Sequence, residues 1–420
     1  MYTRFSFFFL IILLPFFSCN RKNRQQKNPA SEISRSAVAD SAAHYSSIKI
    51  TTGNERIIHL DPHAKGYTYD ELIDSISFVR LQTTDNCLIA NINRLYFTED
   101  KIIVVDYFKM EMIYVFDRQG RFLYTLSRQG GAPYEYTTLD YAALTPDQKH
   151  VVAVDMGQKL KYYRLDKEHV MRTGSFLDKT VTLSNTFYTV EFLTDDIIAG
   201  YCSGGNIWSP HSSDRHLLML STLSNKILYS GYKSYYSKNF NFTTDAPIRK
   251  CGNKLYFNPI FSDTIYTVSR EGLEACYVLD IKGHKKVIID DGITNESYRE
   301  QKKTNPYFNS DFLDMDDVAL FAYMANLGRP TWGLYIKAED KTYDCNSYLQ
   351  DPLKAFCNGP WYYYKGNTAA CPVSASSLLA NKKSILKKSN PKIATELLDG
   401  LTEDDNPVVL FYHMKTKIKK

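Results

Sequence analysis

Clusters of carboxylates are the residues of this sequence that acid–base catalysis or Ca²⁺ binding would use. They are Asp290-Asp291, Asp314 with Asp316-Asp317, and Glu403-Asp404-Asp405. None has EF-hand spacing, and Asp is common in turns because its side chain accepts hydrogen bonds from nearby backbone N–H groups. The nine His residues form no H-E-x-x-H motif, and no G-x-S-x-G elbow occurs. We therefore interpret these acids as turn residues and predict no catalytic residue, no metal site and no cofactor.

A glycine pair at Gly130-Gly131 could cradle a phosphate group, but a phosphate-binding loop precedes a helix. Here the chain runs through a proline into a strand-like segment that begins at Leu139. We therefore interpret the loop as a crossing between two units of strands. Its side chains Arg128, Tyr134 and Glu135 either contact a ligand or hold the loop together through an Arg128–Glu135 ion pair.

Aromatic residues make up 14% of the chain, with 32 Tyr, 23 Phe and 3 Trp. Trp208 is flanked by Gly204-Gly205-Asn206 and Ser209-Pro210, a context typical of a loop. Trp361 begins a run of four aromatic residues. Because aromatic faces stack on sugar rings and pack on peptide side chains, Trp208 and Trp361 are candidate ligand-binding residues. Burial in the core is the alternative for each.

The net charge of +5 comes from the N-terminal end of the chain. Residues 1–27 contain five basic side chains and no acidic one, so residues 28–420 carry 46 of each. Binding through phosphate neutralisation needs a basic patch, and the run of lysines at 415–420 is typical of a solvated tail. We therefore predict no nucleic-acid partner.

The first residues have the pattern of a targeting segment. An apolar run from Phe5 to Phe17 is short for a transmembrane helix but suits a signal peptide. Its end, Phe16-Phe17-Ser18-Cys19, resembles a bacterial lipobox, in which the cysteine is diacylated; an ordinary secretory signal is the alternative. We expect residues 1–18 to be a lipoprotein signal peptide, Cys19 to carry the lipid, and the polar residues 19–50 to be a flexible tether.

The seven cysteines after Cys19 are scattered and contain no CxxC pair, so a structural zinc site is not expected. In an oxidising compartment Cys345, Cys357 and Cys371 could supply one disulfide, and buried free thiols are the alternative. Only geometry distinguishes the two.

Short strands recur at regular spacing after the tether. Four apolar or alternating runs predict an antiparallel meander: Asn93 to Phe97, Lys101 to Asp106, Met112 to Asp117 and Phe122 to Ser127. Similar joints between a strand and a turn recur, each marked by one apolar anchor: Phe116, Leu165, Leu220, Val268, Ile336 and Phe411. The intervals of 49, 55, 48, 68 and 75 residues are near the period of a propeller blade.

We therefore predict an all-β fold, a six-bladed β-propeller over residues 51–420, with a small helical insertion at about 374–401 where the periodicity is helical. A pair of β-sandwiches is the alternative. A strand near Ile57–Leu60 or Ser77–Leu81 is expected to join the last blade, because ring closure hides otherwise exposed edges.

Six segments carry a resemblance to a known family: Ile76 to Thr84, Leu88-Ile89, Val115 to Asp117 with Gly120, Arg128 to Tyr136, Phe261 to Tyr266, and Asp405 to Leu410. They resemble the six-bladed β-propeller lipoproteins of Bacteroidetes, relatives of the NHL-repeat propellers. The loop at Gly130 departs from the Gly-x-Gly-Pro-Gly-Glu pattern of that family. The resemblance implies a propeller fold and a cell-envelope location, but no reaction. Surface-exported lipoproteins of the related bacteria tend to carry acids after the lipidated cysteine, and Asn20 to Arg24 contain none, so it implies a periplasm-facing position at the outer membrane.

These features predict a non-catalytic binding or scaffold module, a monomer anchored in the membrane by its lipid, that recognises a peptide, protein or glycan at one face. The alternative is an envelope hydrolase or lyase with its active site in the central channel. A binding module requires a funnel lined with aromatic and mixed polar groups. An enzyme requires converging carboxylates or His with perturbed pKa values.

Overall fold

A computed structural model describes residues 46–64, 66–201, 207–208, 215–233, 236–237, 240–241, 247–259, 262–285, 294–325, 329–345, 353 and 360–418. Six sheets form the blades of one β-propeller, as predicted, and each is built on four antiparallel strands; the sheets of blades 3 and 4 carry two additional strands each. The strands of blade 1 are Arg94–Phe97, Lys101–Asp106, Met112–Asp117 and Phe122–Thr125; those of blade 2 are Tyr141–Leu144, His150–Asp155, Lys159–Arg164 and Leu177–Thr182; those of blade 3 are Thr189–Phe192, Ile197–Tyr201, Arg215–Thr222 and Ile227–Lys233. The strands of blade 4 are Ile248–Cys251, Lys254–Phe257, Thr264–Val268 and Leu273–Ile281; those of blade 5 are Tyr307–Asp314, Val318–Ala325, Arg329–Ile336 and Lys341–Cys345; those of blade 6 are Tyr362–Lys365, Thr368–Val373, Val408–Met414 and Ile73–Arg80.

The first strand of each blade is innermost, and these six strands surround the propeller axis. Strand direction alternates within a blade, so the connections fall on two faces. We call the face at which the first strands begin the upper face. It carries the crossings between blades and the connections between second and third strands. The lower face carries the other two sets of connections.

The ring is closed by one of the two predicted N-terminal strands. Ile73–Arg80 pairs antiparallel with Val408–Met414 and completes blade 6. The other candidate strand, Arg56–Leu60, pairs parallel with Leu273–Ile281 at the outer edge of blade 4 instead. Both placements satisfy backbone groups of edge strands that would otherwise remain unpaired.

Two short strands precede Arg56–Leu60, in a region of which residues 46–50 are predicted to belong to the tether. Ser46–Ser47 pairs parallel with the outer strand of blade 3, and Ile50–Thr51 pairs with the outer strand of blade 4. The propeller therefore incorporates the chain from residue 46. Polar composition predicts a tether here, but main-chain pairing to an open edge requires no apolar side chain.

The six predicted anchors take equivalent positions in the six blades. Five lie in a third strand and Leu165 directly follows one, and all six are buried. Apolar residues of adjacent blades pack into the clusters that form the core. The spacing of the anchors thus follows from one buried third strand per blade.

The predicted helical insertion consists of Ala375–Ala380, Lys382–Lys388 and Pro391–Leu398, on the upper face of blade 6. Its buried side chains Leu378, Ile385 and Leu397 belong to the core.

The described part of the chain contains three other helices, Tyr69–Leu72, Lys167–Thr173 and Asn295–Thr304, and the further short strands Ile207–Trp208, Tyr236–Ser237 and Phe240–Asn241. A turn is predicted after the anchor Leu165, but Asp166 accepts a hydrogen bond from the His169 N–H and starts a helix there. Within the described ranges no helix is long and apolar enough to cross a membrane.

Candidate functional site

A cavity of 1360 Å³ lies on the propeller axis and is lined by residues from all six first strands. Phe108 and Tyr188 line it from connections on the upper face, and Gln148 and Asn253 line it from connections on the lower face. Its wall combines aromatic rings with charged and amide side chains. Small-molecule sites are usually about 300–1,000 Å³, so this cavity has room for a ligand of that class or larger.

Hydrogen bonds join three blades at the cavity wall. Arg94 Nε donates to Tyr141 Oη at 2.8 Å, and the guanidinium lies 4.7 Å from the centre of that ring. Tyr141 Oη donates in turn to Glu191 Oε1 at 2.7 Å. Tyr96 Oη donates to the Ala142 carbonyl at 2.7 Å and lies 3.4 Å from Glu191 Oε1. Because Arg94, Tyr141 and Glu191 belong to blades 1, 2 and 3, the packing of whole blades sets their geometry.

Two charged groups at this wall are incompletely paired. Glu191 is 3% exposed, and its enclosed Oε2 has no hydrogen-bond partner among the described residues. Desolvation raises the pKa of Glu191, although the Tyr141 hydroxyl opposes the shift. Desolvation lowers the pKa of Lys250, a half-buried residue, and the Glu191 charge opposes that shift. Since Glu191 Oε2 is enclosed, this residue orients the tyrosines, whereas Lys250 is a polar group of the cavity wall.

A second arginine links blades 4, 5 and 6. Arg249 Nη1 donates to Asp311 Oδ1 at 2.8 Å and to the Phe312 carbonyl at 2.6 Å. It also donates to the Trp361 carbonyl at 3.5 Å. Both charged side chains of the pair are mostly buried. The Asp311 carboxylate is therefore held in an ion pair with Arg249.

Asp314, from a predicted carboxylate cluster, is also held by hydrogen bonds and an ion pair. It is buried and accepts hydrogen bonds from Tyr256 Oη and, at 2.7 Å, from Tyr277 Oη. Lys337 Nζ lies 2.8 Å from its Oδ1. A carboxylate with three such partners stabilises the contact between blades 4 and 5.

The other predicted carboxylates differ in what they contact. Asp316 accepts from Tyr363 Oη at 3.4 Å and Asp317 from Asn367 Nδ2 at 2.7 Å, so both join blade 5 to blade 6. Asp405 Oδ2 accepts a hydrogen bond from the Thr402 N–H at 2.8 Å, as expected for a turn residue. This bond is the largest reason why the pKa of Asp405 is lowered. Asp290-Asp291 lie outside the described residues.

The predicted ligand residues at the blade 1 to blade 2 crossing lie on the upper face, away from the cavity lining. Arg128 Nε donates to Glu135 Oε1 at 2.9 Å, and Glu135 Oε2 accepts from the Ala132 N–H at 2.9 Å. A Cβ at Gly130 would lie 1.9 Å from Glu135 Oε2, so this ion pair requires glycine there. The Tyr134 side chain is exposed. The ion pair holds the loop together, and ligand contact by these residues stays a prediction.

The two candidate tryptophans differ in position. Trp208 belongs to the short strand Ile207–Trp208, paired with Arg215–His216, and its side chain lies outside what the structure describes. Trp361 is 2% exposed and packs in the core, and it is also among the residues that line the axial cavity. The lipidation site, Cys19, is likewise outside the described residues. Binding by either tryptophan and acylation of Cys19 remain predictions.

The charged residues of the cavity wall are not among the residues predicted from the sequence. Arg94, Glu191, Arg249 and Lys250 each lie in a first strand. A charged residue within an otherwise apolar inner strand, as in Val190-Glu191-Phe192, is the signal that could have found them. Their mutual proximity has no sequence signal because they come from different blades.

Within the described ranges, no group of three His, Cys, Asp or Glu residues could hold a metal ion. Cys87, Cys251 and Cys276 are free thiols, and desolvation raises the pKa of each to about 12. They are therefore poor nucleophiles. Cys357, part of the disulfide alternative, lies outside the described residues.

Comparison with known proteins gives a family and a fold. A solved structure from Bacteroides fragilis, of a protein inferred to be exported, matches with a TM-score of 0.68 and 21% identity over 86% of this chain and 99% of that one. At this identity the match shows the fold alone.

The structures of U3-55K and of the RRP9 WD40 repeats match over 72% and 84% of this chain and 78% and 99% of theirs, at 11% and 9% identity. Their TM-scores of 0.37 and 0.40 are too low to carry an argument. No curated protein matches the chain. A family model described as a domain of unknown function (DUF4934) matches residues 56–413, almost the whole propeller, and the chain therefore belongs to this family.

Proposed function

We propose that the protein is a non-catalytic binding or scaffold propeller of the cell envelope, which recognises a peptide, protein or glycan at its upper face. The observation that carries this proposal is the axial cavity, whose wall combines Tyr107, Phe108 and Tyr188 with polar side chains such as Asn91 and Lys250. This is the mixed aromatic and polar lining expected of a binding site. Asp311 and Asp314, the acids that a catalytic site would need, are held by cations.

The direction of the strands also supports the upper face as the binding face. Trp208 pairs with Arg215 at the start of the third strand of blade 3, and Trp361 directly precedes the first strand of blade 6, so the backbone of both residues lies at the upper end of its blade. The Arg128–Glu135 crossing belongs there as well. The described residues of the three predicted segments thus lie toward one face of the propeller, which supports a binding site there, since loops tolerate sequence variation without disturbing blade packing.

The proposal includes an envelope anchor of the Bacteroidetes, NHL-like lipoprotein type. Residues 1–18 act as the signal peptide, Cys19 carries the lipid, and the chain up to residue 45 tethers the propeller to the periplasmic side of the outer membrane. The Bacteroides fragilis protein of similar fold is itself inferred to be exported. Cys19→Ser should leave the signal unprocessed or release the protein from the membrane, as shown by globomycin sensitivity and membrane fractionation. Unchanged membrane fractionation of this variant would overturn the anchor.

Lys250 offers a direct test of binding in the cavity. Its ammonium forms no hydrogen bond or ion pair with the described residues, so Lys250→Ala should fold normally. The matched control is Lys226→Ala, an exposed lysine in a turn of blade 3. The chain from Asn20 onward, as wild type and as each of the two variants, is immobilised and incubated with fractionated envelope extract. The retained peptides, proteins and glycans are identified by mass spectrometry. Species retained by wild type and Lys226→Ala but lost with Lys250→Ala support a cavity site; identical retention by all three refutes it.

An envelope hydrolase or lyase is the second candidate, because Glu191 and Lys250 carry oppositely perturbed pKa values at the same wall. The same incubation distinguishes it. New shortened glycans or peptides that accumulate with wild type but not with Lys250→Ala would establish catalysis. Retention of unchanged species would favour binding.

A further inference from the structure

Most of the large apolar side chains that the described residues expose to solvent lie on the upper face. Within the described ranges there are ten such side chains, and seven lie on upper-face connections or on the helical insertion there: Leu88, Phe108, Met110, Tyr134, Met156, Tyr188 and Leu386. Of the other three, Ile50 and Ile57 lie on strands at the outer edge of blade 4, and Met171 lies on a lower-face helix. Isolated apolar residues are normal at a surface, but their concentration on one face marks an interaction site.

Six of these residues form what we call the apolar arc: Leu88, Phe108, Met110, Tyr134, Met156 and Tyr188. They belong to consecutive upper-face connections, from the crossing into blade 1 to the crossing into blade 3. Phe108 is 70% exposed and Tyr188 39% exposed, and both also line the axial cavity. The arc therefore reaches the upper mouth of the cavity at these two residues.

Hydrogen bonds hold the first connections of the arc together. Asp106, fully buried at the end of the second strand of blade 1, accepts from the N–H groups of Asn91 at 2.8 Å and Met110 at 3.2 Å. Glu111, beside Met110, accepts from the Leu139 N–H at 3.3 Å. These bonds join the crossing into blade 1, the loop of Phe108 and the crossing into blade 2.

The same arrangement continues into blades 2 and 3. Asp155, at the corresponding end of its second strand, accepts from the N–H groups of Thr137 and Thr138 at 3.0 and 3.1 Å. The Met156 N–H donates to Thr138 Oγ1 at 2.9 Å, and the Phe187 N–H donates to the Gly157 carbonyl at 2.8 Å. The apolar side chains are thus presented by a rigid rim, which lowers the entropy lost on binding.

The composition of the arc distinguishes between kinds of partner. Its connections expose three charged side chains, Asp85, Lys109 and Arg128. Phe, Tyr, Met and Arg are enriched and other charged residues are depleted in the centre of protein–protein interfaces. An anionic membrane would need more cations.

From these observations we infer that the apolar arc docks a partner polypeptide, which lays apolar side chains over Phe108 and Met156 and passes a segment into the mouth of the axial cavity beside Tyr188. This inference rests on the proposed binding function and specifies its partner. Asn91, which lines the same mouth, offers a carboxamide that can both donate to and accept from a peptide group.

A phage-displayed library of random 12-residue peptides tests the inference with a defined probe. The chain from Asn20 onward is the bait. The selected peptides are resynthesised with a fluorophore, so that their binding to wild type and to each variant can be measured. We expect an apolar consensus, and at least tenfold weaker binding to Phe108→Asp and to Met156→Asp, since loss of one hot-spot anchor typically costs about tenfold or more. Met171→Asp, an 81% exposed residue on the lower face, is the matched control and should bind as wild type. Thermal unfolding checks that the three variants are folded.

Three results would overturn the inference: no enrichment of peptides, selected peptides that bind all variants equally, or loss of binding with Met171→Asp alone. Vesicles containing anionic phospholipid and a panel of envelope glycans are tested in parallel. If either binds wild type but not Phe108→Asp while peptides do not bind, the partner is not a polypeptide. Retention that depends on Lys250 but not on Phe108 would leave the cavity function intact and refute only the arc.

Discussion

Asp344 should make the propeller less stable as the pH rises through mildly acidic values. It lies in the outer strand of blade 5 and accepts hydrogen bonds from Tyr323 Oη at 3.0 Å and from the Asp61 N–H at 3.4 Å. Desolvation raises the pKa of Asp344 from 3.8 to about 6, more than these hydrogen bonds lower it, and the nearby Asp61 charge adds to the increase. The folded chain therefore holds this proton more tightly than the unfolded chain does.

The size of the effect follows from the pKa difference. Each unit of pKa corresponds to about 1.4 kcal/mol, so the charged carboxylate should cost roughly 3 kcal/mol of unfolding free energy above pH 6. The cost develops between about pH 4 and pH 6 and is absent at lower pH, where the group is protonated in both states. Asp344→Asn removes the charge and keeps an acceptor for Tyr323, but it loses the long hydrogen bond from Asp61, worth about 1 kcal/mol. A net gain of about 2 kcal/mol is expected at pH 7.5, with no gain at pH 4.

Urea unfolding monitored by tryptophan fluorescence at half-unit steps from pH 4 to pH 7.5 measures this difference. The matched control is Asp85→Asn, an exposed carboxylate on the upper face, which should follow wild type at every pH. If the difference between Asp344→Asn and wild type is the same at pH 4 and pH 7.5, desolvation of this carboxylate is not the cause and the reasoning fails.

Two further substitutions test the geometry of the ring. Gly120 has a φ of +83° in the last hairpin of blade 1, and a Cβ there would lie 2.1 Å from the Arg80 carbonyl oxygen of blade 6. Gly120→Ala should therefore lower the free energy of unfolding in urea by at least about 2 kcal/mol. Gly131→Ala is the control and should lower it by less than about 0.5 kcal/mol, because the space around Gly131 is open. Equal losses in the two variants would contradict the close approach. Arg249→Met should lower the free energy of unfolding by about 3 kcal/mol, because it leaves Asp311 buried without its cation. Adding Asp311→Leu should restore part of that stability. If the double variant is no more stable than Arg249→Met, the arginine acts through packing alone.

The number of blades could be predicted because its cause is local. Each blade repeats a buried third strand followed by a turn, and the meander predicted from Asn93 to Ser127 agrees with the four strands of blade 1 to within two residues. The helical insertion near residues 374–401 was predictable for the same reason, since its periodicity reflects which side chains are buried. The Arg128–Glu135 ion pair, one of two predicted roles for that loop, involves residues only seven positions apart.

The charged network of the cavity was not predictable in the same way. Arg94 and Tyr141 are 47 positions apart, and Tyr141 and Glu191 are 50 positions apart. They meet because successive first strands turn the same side toward the axis. Trp361 shows the converse: an aromatic run suggests a binding surface, but blade packing buries that side chain.

Hydrophobic periodicity and turn residues thus specify the strands, their grouping in fours and the sixfold repeat, because these depend on contacts between neighbours in the chain. Three features depend instead on how blades distant in sequence pack around a common axis. They are the axial cavity, the apolar arc, and the closure of the ring by Ile73–Arg80 and not by Arg56–Leu60. Both candidate strands have the pattern of an edge strand, and either could satisfy an open edge. Which edge each one reaches is set by the path of the chain between them, and that path is a property of the assembled ring.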